Sequence, residues 1–362
     1  MSDAFSIQAF DHLELYVGNA KQAAMFYDRG FGFRSIAYRG LDTGTRDVAS
    51  YVMQQGEIRL VLSSALDPNH PIALKTAKHG DHVAIIALTV PDVDRAFAIS
   101  TSRGALAVAS PTYEADETGT YCYATIYGYG NTLIKFVQRD RYHGVFAPGF
   151  FPRSTQPQAD AGLIKIDHVV GNVEKGQMNR WVRFFENVLG LDLLVQFDDR
   201  TIATDYSALT SSVMQNATGA IKLPINEPAI GKGKSQIQEF LEYNHGGGVQ
   251  HVAYLTHNII DTVTTLKDLG IEFLSVPASY YADLEARIGR IDQSIEQLAK
   301  LGILVDRDRE GYLLQIFTRP VQDRPTLFFE IIERHGSQGF GEGNFKSLFE
   351  AIEREQALRG NL

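Results

Sequence analysis

The chain of 362 residues has a single cysteine, Cys122. An intrachain disulfide is therefore impossible, and a metal cage made of several thiolates is excluded as well. Any metal site in this protein must use histidine and carboxylate side chains. No apolar run approaches the roughly 20 residues that a membrane span needs, and residues 1–10 lack the apolar core of a secretory signal. We therefore expect a cytoplasmic protein without a membrane partner.

The sequence also lacks an excess of basic residues. Its 34 Lys and Arg against 43 Asp and Glu give a formal net charge of −9. Nucleic acids and anionic membranes bind basic faces, so neither is an expected partner. Single hydrophobic cores stop growing at roughly 250–300 residues, and the length of the chain therefore predicts two domains.

The most informative feature that is present is an internal repeat. Residues 10–33, FDHLELYVGNAKQAAMFYDRGFGF, resemble residues 166–193, IDHVVGNVEKGQMNRWVRFFENVLGLDL. A second pair joins residues 79–105 to residues 246–271, and in that alignment His82 falls on His251. Each copy is typical of a strand, an amphipathic helix, a turn and a further strand. The chain is thus predicted to be α+β, with four strand-helix-strands units, two in each half.

The two halves are predicted to meet in a linker at about Pro148 to Gly162, which is rich in Pro, Gly, Ser and Gln. We expect one domain at residues 1–155 and a second at 156–362. The second is longer because it contains an additional helical segment at 282–303 and a helix-like tail at 344–360.

Three residues of the second half are candidate metal ligands. His168 and His251 begin apolar strands at matched repeat positions, and Glu330 lies inside the apolar run LFFEII. A single histidine in a strand is usually a half-buried structural residue, whereas matched histidines are brought together by the repeat. A buried carboxylate needs a cation or a raised pKa. The alternative is that Glu330 pairs with an arginine or faces solvent on an edge strand.

The first half provides an internal comparison. Its segment GNTLIKFVQR (130–139) places Phe136 opposite Glu330 when it is aligned on Thr-Leu, and Lys135 when it is aligned on the terminal arginine. Neither side chain can be an anionic ligand. We therefore interpret residues 1–155 as a duplicated unit without a metal site, in which His12 and His82 are structural remnants.

Two imidazoles and one carboxylate leave about three of six coordination positions open. That arrangement suits non-haem iron(II), because substrate and dioxygen can then bind together. Zinc also accepts two histidines and a glutamate, so ligand types alone leave both metals open and the substrate pocket must decide between them.

Several blocks of the sequence, in order, resemble the 4-hydroxyphenylpyruvate dioxygenase family of the vicinal-oxygen-chelate (glyoxalase/bleomycin-resistance-like) superfamily. They are IDHVVGNV around His168, LPINEP (223–228), KSQIQEFLEYNHGGGVQHVAY (234–254), LLQIFTRPVQDRPTLFFEIIER (313–334) and GFGEGNFKSLFEAIEREQ (339–356). The resemblance implies four βαβββ modules that form two half-open barrel domains. It implies Fe(II), held by His168, His251 and Glu330, and the substrates 4-hydroxyphenylpyruvate and O2. The implied products are homogentisate and CO2, formed by decarboxylation, ring hydroxylation and side-chain migration in tyrosine and phenylalanine catabolism.

The resemblance also implies the residues of the pocket and the assembly of the chain. Polar residues that line the substrate cavity or lie close to the metal would be Ser211, Asn226, Gln236, Gln250 and Gln315. Aromatic and lid residues around the substrate would be Phe317, Phe328, Phe340, Asn344 and Phe345. The tail that carries the last of these would close over the opening, and the chain would form a homo-oligomer, either a dimer or a tetramer.

Three other functions are compatible with the same scaffold. 4-Hydroxymandelate synthase shares the substrate, metal and ligands, although PINEP and Phe345 look more like the branch that forms homogentisate. A second possibility is an extradiol dioxygenase or a glyoxalase-like lyase. Extradiol enzymes need a catechol and a protein base near it, and the Ser, Asn and Gln set fits a neutral phenol better. A metal-free binding protein of this fold would have lost the ligands that the second half retains.

Overall fold

A computed structural model of the protein describes residues 5–154, 160–197, 209–229 and 233–361. The predicted boundary between residues 155 and 156 lies outside these ranges, so the division into two domains stays a prediction. Within the described ranges, no helix has the length and apolar character that a transmembrane span requires.

The first half contains two successive strand-helix-strands units joined by a helix. The elements of the first unit are β1 (Ala9–Tyr16), α1 (Ala20–Phe31), β2 (Arg34–Arg39), β3 (Val48–Gln55) and β4 (Ile58–Ala65). The connecting helix is α2 (Pro71–His79). The second unit and a short edge strand follow as β5 (His82–Thr89), α3 (Val93–Ser102), β6 (Ala107–Asp116), β7 (Gly119–Tyr127), β8 (Leu133–Gln138) and β9 (Phe151–Pro152).

The second half repeats this order and extends it. Its first unit and connecting helix are β10 (Leu163–Asn172), α4 (Met178–Phe184), β11 (Asp192–Phe197), β12 (Leu209–Gln215), β13 (Lys222–Pro228) and α5 (Gln236–Tyr243). Its second unit comprises β14 (Gly248–Thr256), α6 (Ile259–Asp268), α7 (Leu284–Ile288), α8 (Ile295–Leu301), β15 (Leu304–Arg307), β16 (Tyr312–Phe317) and β17 (Phe328–His335). The last helix is α9 (Phe345–Leu358).

Three of the four helices that follow the first strand of a unit begin at side-chain caps, whereas α4 has no such cap. Asn19, Asp92 and Asn258 each accept a hydrogen bond from the backbone N–H three residues further on. Such caps satisfy donors that the first helical turn leaves unpaired. The chain therefore leaves the sheet and enters each of these three helices at a position that its own sequence defines.

The strand pairing in the two halves follows one scheme. In every unit the first strand is parallel to the last, as in β10 with β13 and β14 with β17. The first strands of the two units of each half pair antiparallel, β1 with β5 and β10 with β14. The orders are β6-β7-β8-β5-β1-β4-β3-β2-β9 and β11-β12-β13-β10-β14-β17-β16-β15, and each sheet curls into a half-barrel. The predicted α+β architecture of four repeated units is thus confirmed.

Two details of the sequence interpretation need correction. The segment predicted as helical at 282–303 forms two short helices, α7 and α8, because Gly289 adopts a positive φ of 71° and ends the first of them. The alignment of His82 with His251 is also wrong. Val170 pairs with His251, whereas the equivalent Glu14 pairs with Ile85. Ile85 therefore takes the place of His251 in the first half, and His82 lies three residues earlier, opposite Tyr16.

The two halves contact each other through the back of the second sheet. Phe329 on β17 is 1% exposed. Its ring lies 5.1 Å from that of Phe31 and 6.0 Å from that of Tyr27, both on α1, and it stacks on Tyr254 at 5.2 Å. Because side chains alternate along a strand, the neighbouring Glu330 points to the opposite face, into the half-barrel.

Replacing Phe329 by alanine should remove much of this contact. We expect Phe329→Ala to lower the free energy of unfolding by about 3–5 kcal/mol, the usual cost of truncating a buried phenylalanine. Urea unfolding of the metal-free protein measures it. Leu358→Ala, at a side chain that is 80% exposed, is the control and should change stability by less than about 0.5 kcal/mol. Equal effects of the two substitutions would contradict the proposed packing.

Candidate metal centre

The three candidate ligands lie on three adjacent strands and are placed by strand register. His168 on β10 pairs with Ala253 on β14, and Ala253 pairs with Glu330 on β17. His168, Ala253 and Glu330 thus lie side by side at one level of the sheet. His251 precedes Ala253 by two residues on the same strand, so it points to the same face. The small side chain of Ala253 leaves the space above it free for its neighbours.

The donor atoms of the three side chains converge. Nε2 of His168 lies 3.1 Å and Nε2 of His251 lies 3.5 Å from Oε2 of Glu330. One ligand atom from each residue lies within 4.8 Å of the others. Metal–ligand bonds of about 2.1 Å place neighbouring donors of an octahedral site about 3 Å apart. The spacing and the donor types therefore fit a divalent transition-metal ion bound on one face.

Glu330 is 3% exposed. Burial favours its neutral form, but the nearby His168 and His251 outweigh burial, and the pKa of Glu330 lies below its ordinary value. The buried carboxylate is therefore compensated by the imidazoles, as the sequence analysis required of an acidic group in an apolar run. A metal ion would provide the same compensation with the histidines neutral.

The second ring nitrogen of each histidine has its own partner. Nδ1 of His168 lies 2.8 Å from Oδ1 of Asp167, and Nδ1 of His251 lies 3.0 Å from Oε1 of Gln250. Both partners are oxygen acceptors, so both Nδ1 atoms carry the hydrogen and both Nε2 lone pairs are available to a metal. The pKa values differ in direction. Burial lowers the pKa of His251, whereas the two carboxylates near His168 overcome burial and raise its pKa.

A partly open pocket of about 410 Å³, a volume that includes the solvent space at its mouth, lies in front of the three ligands. Its lining combines phenylalanines with a few polar groups and includes five of the predicted pocket residues: Ser211, Asn226, Phe317, Phe340 and Phe345. Ser211 and Asn226 are directly paired across β12 and β13. Asn226 in turn pairs with Asn172, four residues beyond His168 on β10, which corresponds to on the order of 13 Å along the strand. The cavity therefore has a metal-binding end and a separate polar end.

Three further predicted residues line a small neighbouring cavity beneath α5 and α9. They are Gln236, Gln250 and Phe328. The ring of Phe328 stacks on His251, with the centroids 4.8 Å apart. Phe328 thus lies between the two cavities, and Gln250 reaches the metal centre through its hydrogen bond to His251.

The remaining two predicted residues, Gln315 and Asn344, are buried beside the segment that leads into α9. A Cβ at Gly341, whose φ is 76°, would overlap the side-chain amide of Gln315, so the segment crosses the sheet in close contact there. Oδ1 of Asn344 accepts a hydrogen bond of 2.6 Å from the hydroxyl of Tyr280.

Several residues of the site were not predicted from the sequence. Phe197 and Leu348 line the cavity, and Arg334 forms a bidentate ion pair with Asp167. The signal for this pair was present in the repeats. Both halves contain Asp-His, and both have an arginine four residues after the position of Glu330.

The corresponding position in the first half is Lys135. Ala87 pairs with both His12 and Lys135, as Ala253 pairs with His168 and Glu330. The alignment on the terminal arginine was therefore the correct one. In the first half Ile85 stands in the place of His251, and Lys135 stands in the place of Glu330. Of the three ligand positions, only that of His168 keeps the same residue, as His12.

Comparisons with known proteins agree with this geometry. The model of the Glyoxalase/Bleomycin resistance protein/Dioxygenase superfamily matches residues 9–131 and 165–316. The 4-hydroxyphenylpyruvate dioxygenase of Yarrowia lipolytica is 44% identical over 371 residues, which cover 99% of this chain and 94% of the relative. That of Caenorhabditis briggsae is 46% identical over 372 residues, covering 99% and 95%. A triple mutant of 4-hydroxymandelate synthase from Streptomyces coelicolor superposes with a TM-score of 0.86 at 33% identity, covering 97% of this chain and 99% of that one.

The Glu330 carboxylate should be required for metal binding. We expect Glu330→Ala to weaken binding of a divalent metal more than about 100-fold, because losing even a hydrogen-bonding partner of a ligand typically costs 10–100-fold. Titration of the metal-free protein with Co²⁺, followed by absorption, measures this. Lys135→Ala is the matched control at the equivalent register position and should leave the affinity unchanged. A Glu330→Ala protein that binds Co²⁺ normally would contradict the assignment.

Proposed function

The chain belongs to the 4-hydroxyphenylpyruvate dioxygenase family, and we propose that it converts 4-hydroxyphenylpyruvate and O2 to homogentisate and CO2 with Fe(II) held by His168, His251 and Glu330. It is thus a dioxygenase, and the reaction is a step of tyrosine and phenylalanine catabolism. The proposal rests on one observation. The ligand atoms of these three side chains converge on one face of a cavity that is lined by phenylalanines.

The charge of the site suits an anionic substrate. Two neutral imidazoles and one carboxylate leave a bound divalent cation with a net charge of about +1. Asp167 adds no free negative charge, because Arg334 forms two hydrogen bonds of 2.8 Å with it. A 2-oxo acid, whose carboxylate and ketone oxygens lie side by side, complements this charge and can occupy two adjacent open positions.

Iron(II) bound at this centre would react with dioxygen. It would also offer open coordination positions to the 2-oxo acid. The chain itself supplies the ligands, their orientation and a cavity lined mainly by apolar side chains. The rings of Phe317 and Phe345 are apolar surfaces against which an aromatic substrate packs.

The polar end of the cavity suits the phenol of the substrate. Ser211 and Asn226 are 6% and 8% exposed and lie far along the strands from the metal ligands. Both side chains can donate to, or accept from, a phenolic hydroxyl. A substrate that is anionic at one end and phenolic at the other is thereby held with its ring between the two ends.

4-Hydroxymandelate synthase remains the second candidate, because one of its mutants shares the fold at 33% identity. The higher identity of 43–46% to several 4-hydroxyphenylpyruvate dioxygenases favours homogentisate as the product. An extradiol dioxygenase is less suitable. Among the described residues that line the cavity, the histidines are His168 and His251, and both are assigned to the metal. The predicted homo-oligomer and cytoplasmic location stay predictions.

Incubating the Fe(II)-loaded protein with 4-hydroxyphenylpyruvate should consume one O2 for each homogentisate and CO2 formed. Oxygen-electrode measurements with chromatographic product analysis test this, and protein kept metal-free is the control. Detection of 4-hydroxymandelate in place of homogentisate would select the second candidate. Absence of oxygen uptake in the iron-loaded protein would overturn both.

Ser211 and its neighbour Ser212 provide a test of the polar end, because adjacent residues of β12 point to opposite faces. Ser211→Ala should lower kcat/KM by up to about tenfold, since one hydrogen bond contributes roughly 1 kcal/mol. Ser212→Ala should leave kcat/KM unchanged. With phenylpyruvate, which lacks the hydroxyl, the two variants should behave alike. An unaltered kcat/KM of Ser211→Ala for the hydroxylated substrate would argue against the assigned role.

A further inference from the structure

A buried ion pair lies directly behind the metal ligand His168. Asp167 is 7% exposed, and its Oδ1 accepts the Nδ1–H of His168 at 2.8 Å. Arg334 donates to the same carboxylate twice, through Nε to Oδ2 and Nη2 to Oδ1, both at 2.8 Å. This bidentate geometry fixes the plane of the carboxylate. The carboxylate in turn fixes the orientation of the imidazole whose Nε2 points to Glu330.

The third donor group of Arg334 faces the segment between β17 and α9. Its Nη1 donates to the backbone carbonyl of Gly339 at 2.7 Å and to that of Ser337 at 3.3 Å. The next residue along the chain, Phe340, packs edge-on against the ring of His168, with the centroids 5.1 Å apart. The guanidinium carbon lies 5.7 Å from the centre of the same phenylalanine ring.

These contacts form a closed circuit, which we call the C-terminal strap: Asp167, Arg334 and residues 337–340. It begins at His168 and returns to His168 through the ring of Phe340. Phe340 also lines the cavity in front of the ligands. One ion pair therefore determines both which nitrogen His168 offers to the site and where the cavity wall beside it lies.

We propose that Asp167 and Arg334 are positioning residues of the metal centre, which hold His168 in its metal-binding orientation and Phe340 at the edge of the cavity. The inference rests on the proposed function only in that the three ligands bind a metal. Neither residue touches the substrate cavity, since both lie behind the ligand. Their contribution is to the affinity and geometry of the metal and to the placement of the wall.

The first half contains a second copy of the arrangement. Nδ1 of His12 lies 2.6 Å from Oδ1 of Asp11, and Arg139 donates to Asp11 through Nε at 2.6 Å and Nη2 at 2.8 Å. Arg139 also donates through Nη1 to the carbonyl of Phe146, whose ring lies 5.2 Å from that of His12. This N-terminal strap has Lys135 where the metal centre has Glu330.

The N-terminal strap makes the inference testable within one chain. A purely structural strap would act in the same way in both halves, by tying the segment after the last strand to the first strand. A positioning strap affects the metal only in the second half. Variants of the two copies therefore share their effect on folding and differ in their effect on the metal.

The experiment compares Asp167→Asn and Arg334→Lys with the twins Asp11→Asn and Arg139→Lys, all as full-length metal-free protein. Two measurements are made on each: the midpoint of urea unfolding without metal, and a titration with Co²⁺ alone that yields both the affinity and the visible spectrum of the bound ion. We expect all four variants to unfold at lower urea. Only the two variants of the second half should bind Co²⁺ about 10–100-fold more weakly and give an altered spectrum.

Unchanged Co²⁺ affinity and spectrum in Asp167→Asn and Arg334→Lys would overturn the inference, as would an equal loss of affinity in the twins. If one variant fails to fold, the other member of the same pair decides. Failure of the unaltered protein to bind Co²⁺ would overturn the metal centre itself. If that protein binds Co²⁺ but forms no homogentisate when loaded with iron, the proposed reaction fails while the strap is still tested.

Discussion

The strand register around Ala253 is the constraint on which the site depends. His168 and Glu330 come from strands far apart in the sequence, yet each pairs with Ala253 on the strand between them. Shifting a strand by one residue turns all of its side chains to the other face. A single slip of β17 would therefore carry Glu330 into the position of Phe329, in the interface with α1, and would place Ile331 in the metal site.

The same register explains why the three candidate metal ligands lie in one half of a duplicated chain and are not repeated among the described residues of the other. His12 and Lys135 both pair with Ala87, just as His168 and Glu330 both pair with Ala253. In the first half the charge at this position is a half-buried cation. The ammonium of Lys135 lies 4.2 Å from the centre of the Tyr123 ring, where cation–π attraction compensates it. The duplicated scaffold therefore accepts either sign of charge at this position, and only the acidic version can bind a metal cation.

Much of this arrangement could be predicted because its signals are local. The repeated Asp-His, the matched strand-helix patterns and an acid inside an apolar run are all visible in the sequence, and they predicted the four units and the three candidate ligands. The alignment of His82 with His251 failed because identical letters, His-Val-Ala, lie three residues out of register in the two strands. The stacking of Phe328 on His251 also helps to decide which cavity each pocket residue faces. That contact joins different strands, so spacing along one chain segment cannot specify it.

Glu330 lies at the boundary of two environments, and the first half provides one of them. On one side of β17 Phe329 packs among Tyr27 and Phe31 of α1, and on the other side Glu330 meets His168. Packed aromatic interfaces resist displacement, because moving a buried ring by even a fraction of its width forfeits contacts. The interface therefore holds β17 against sliding at the very residue that must keep its register. The first half therefore contacts the strand of the candidate ligand Glu330 at the adjacent residue, Phe329.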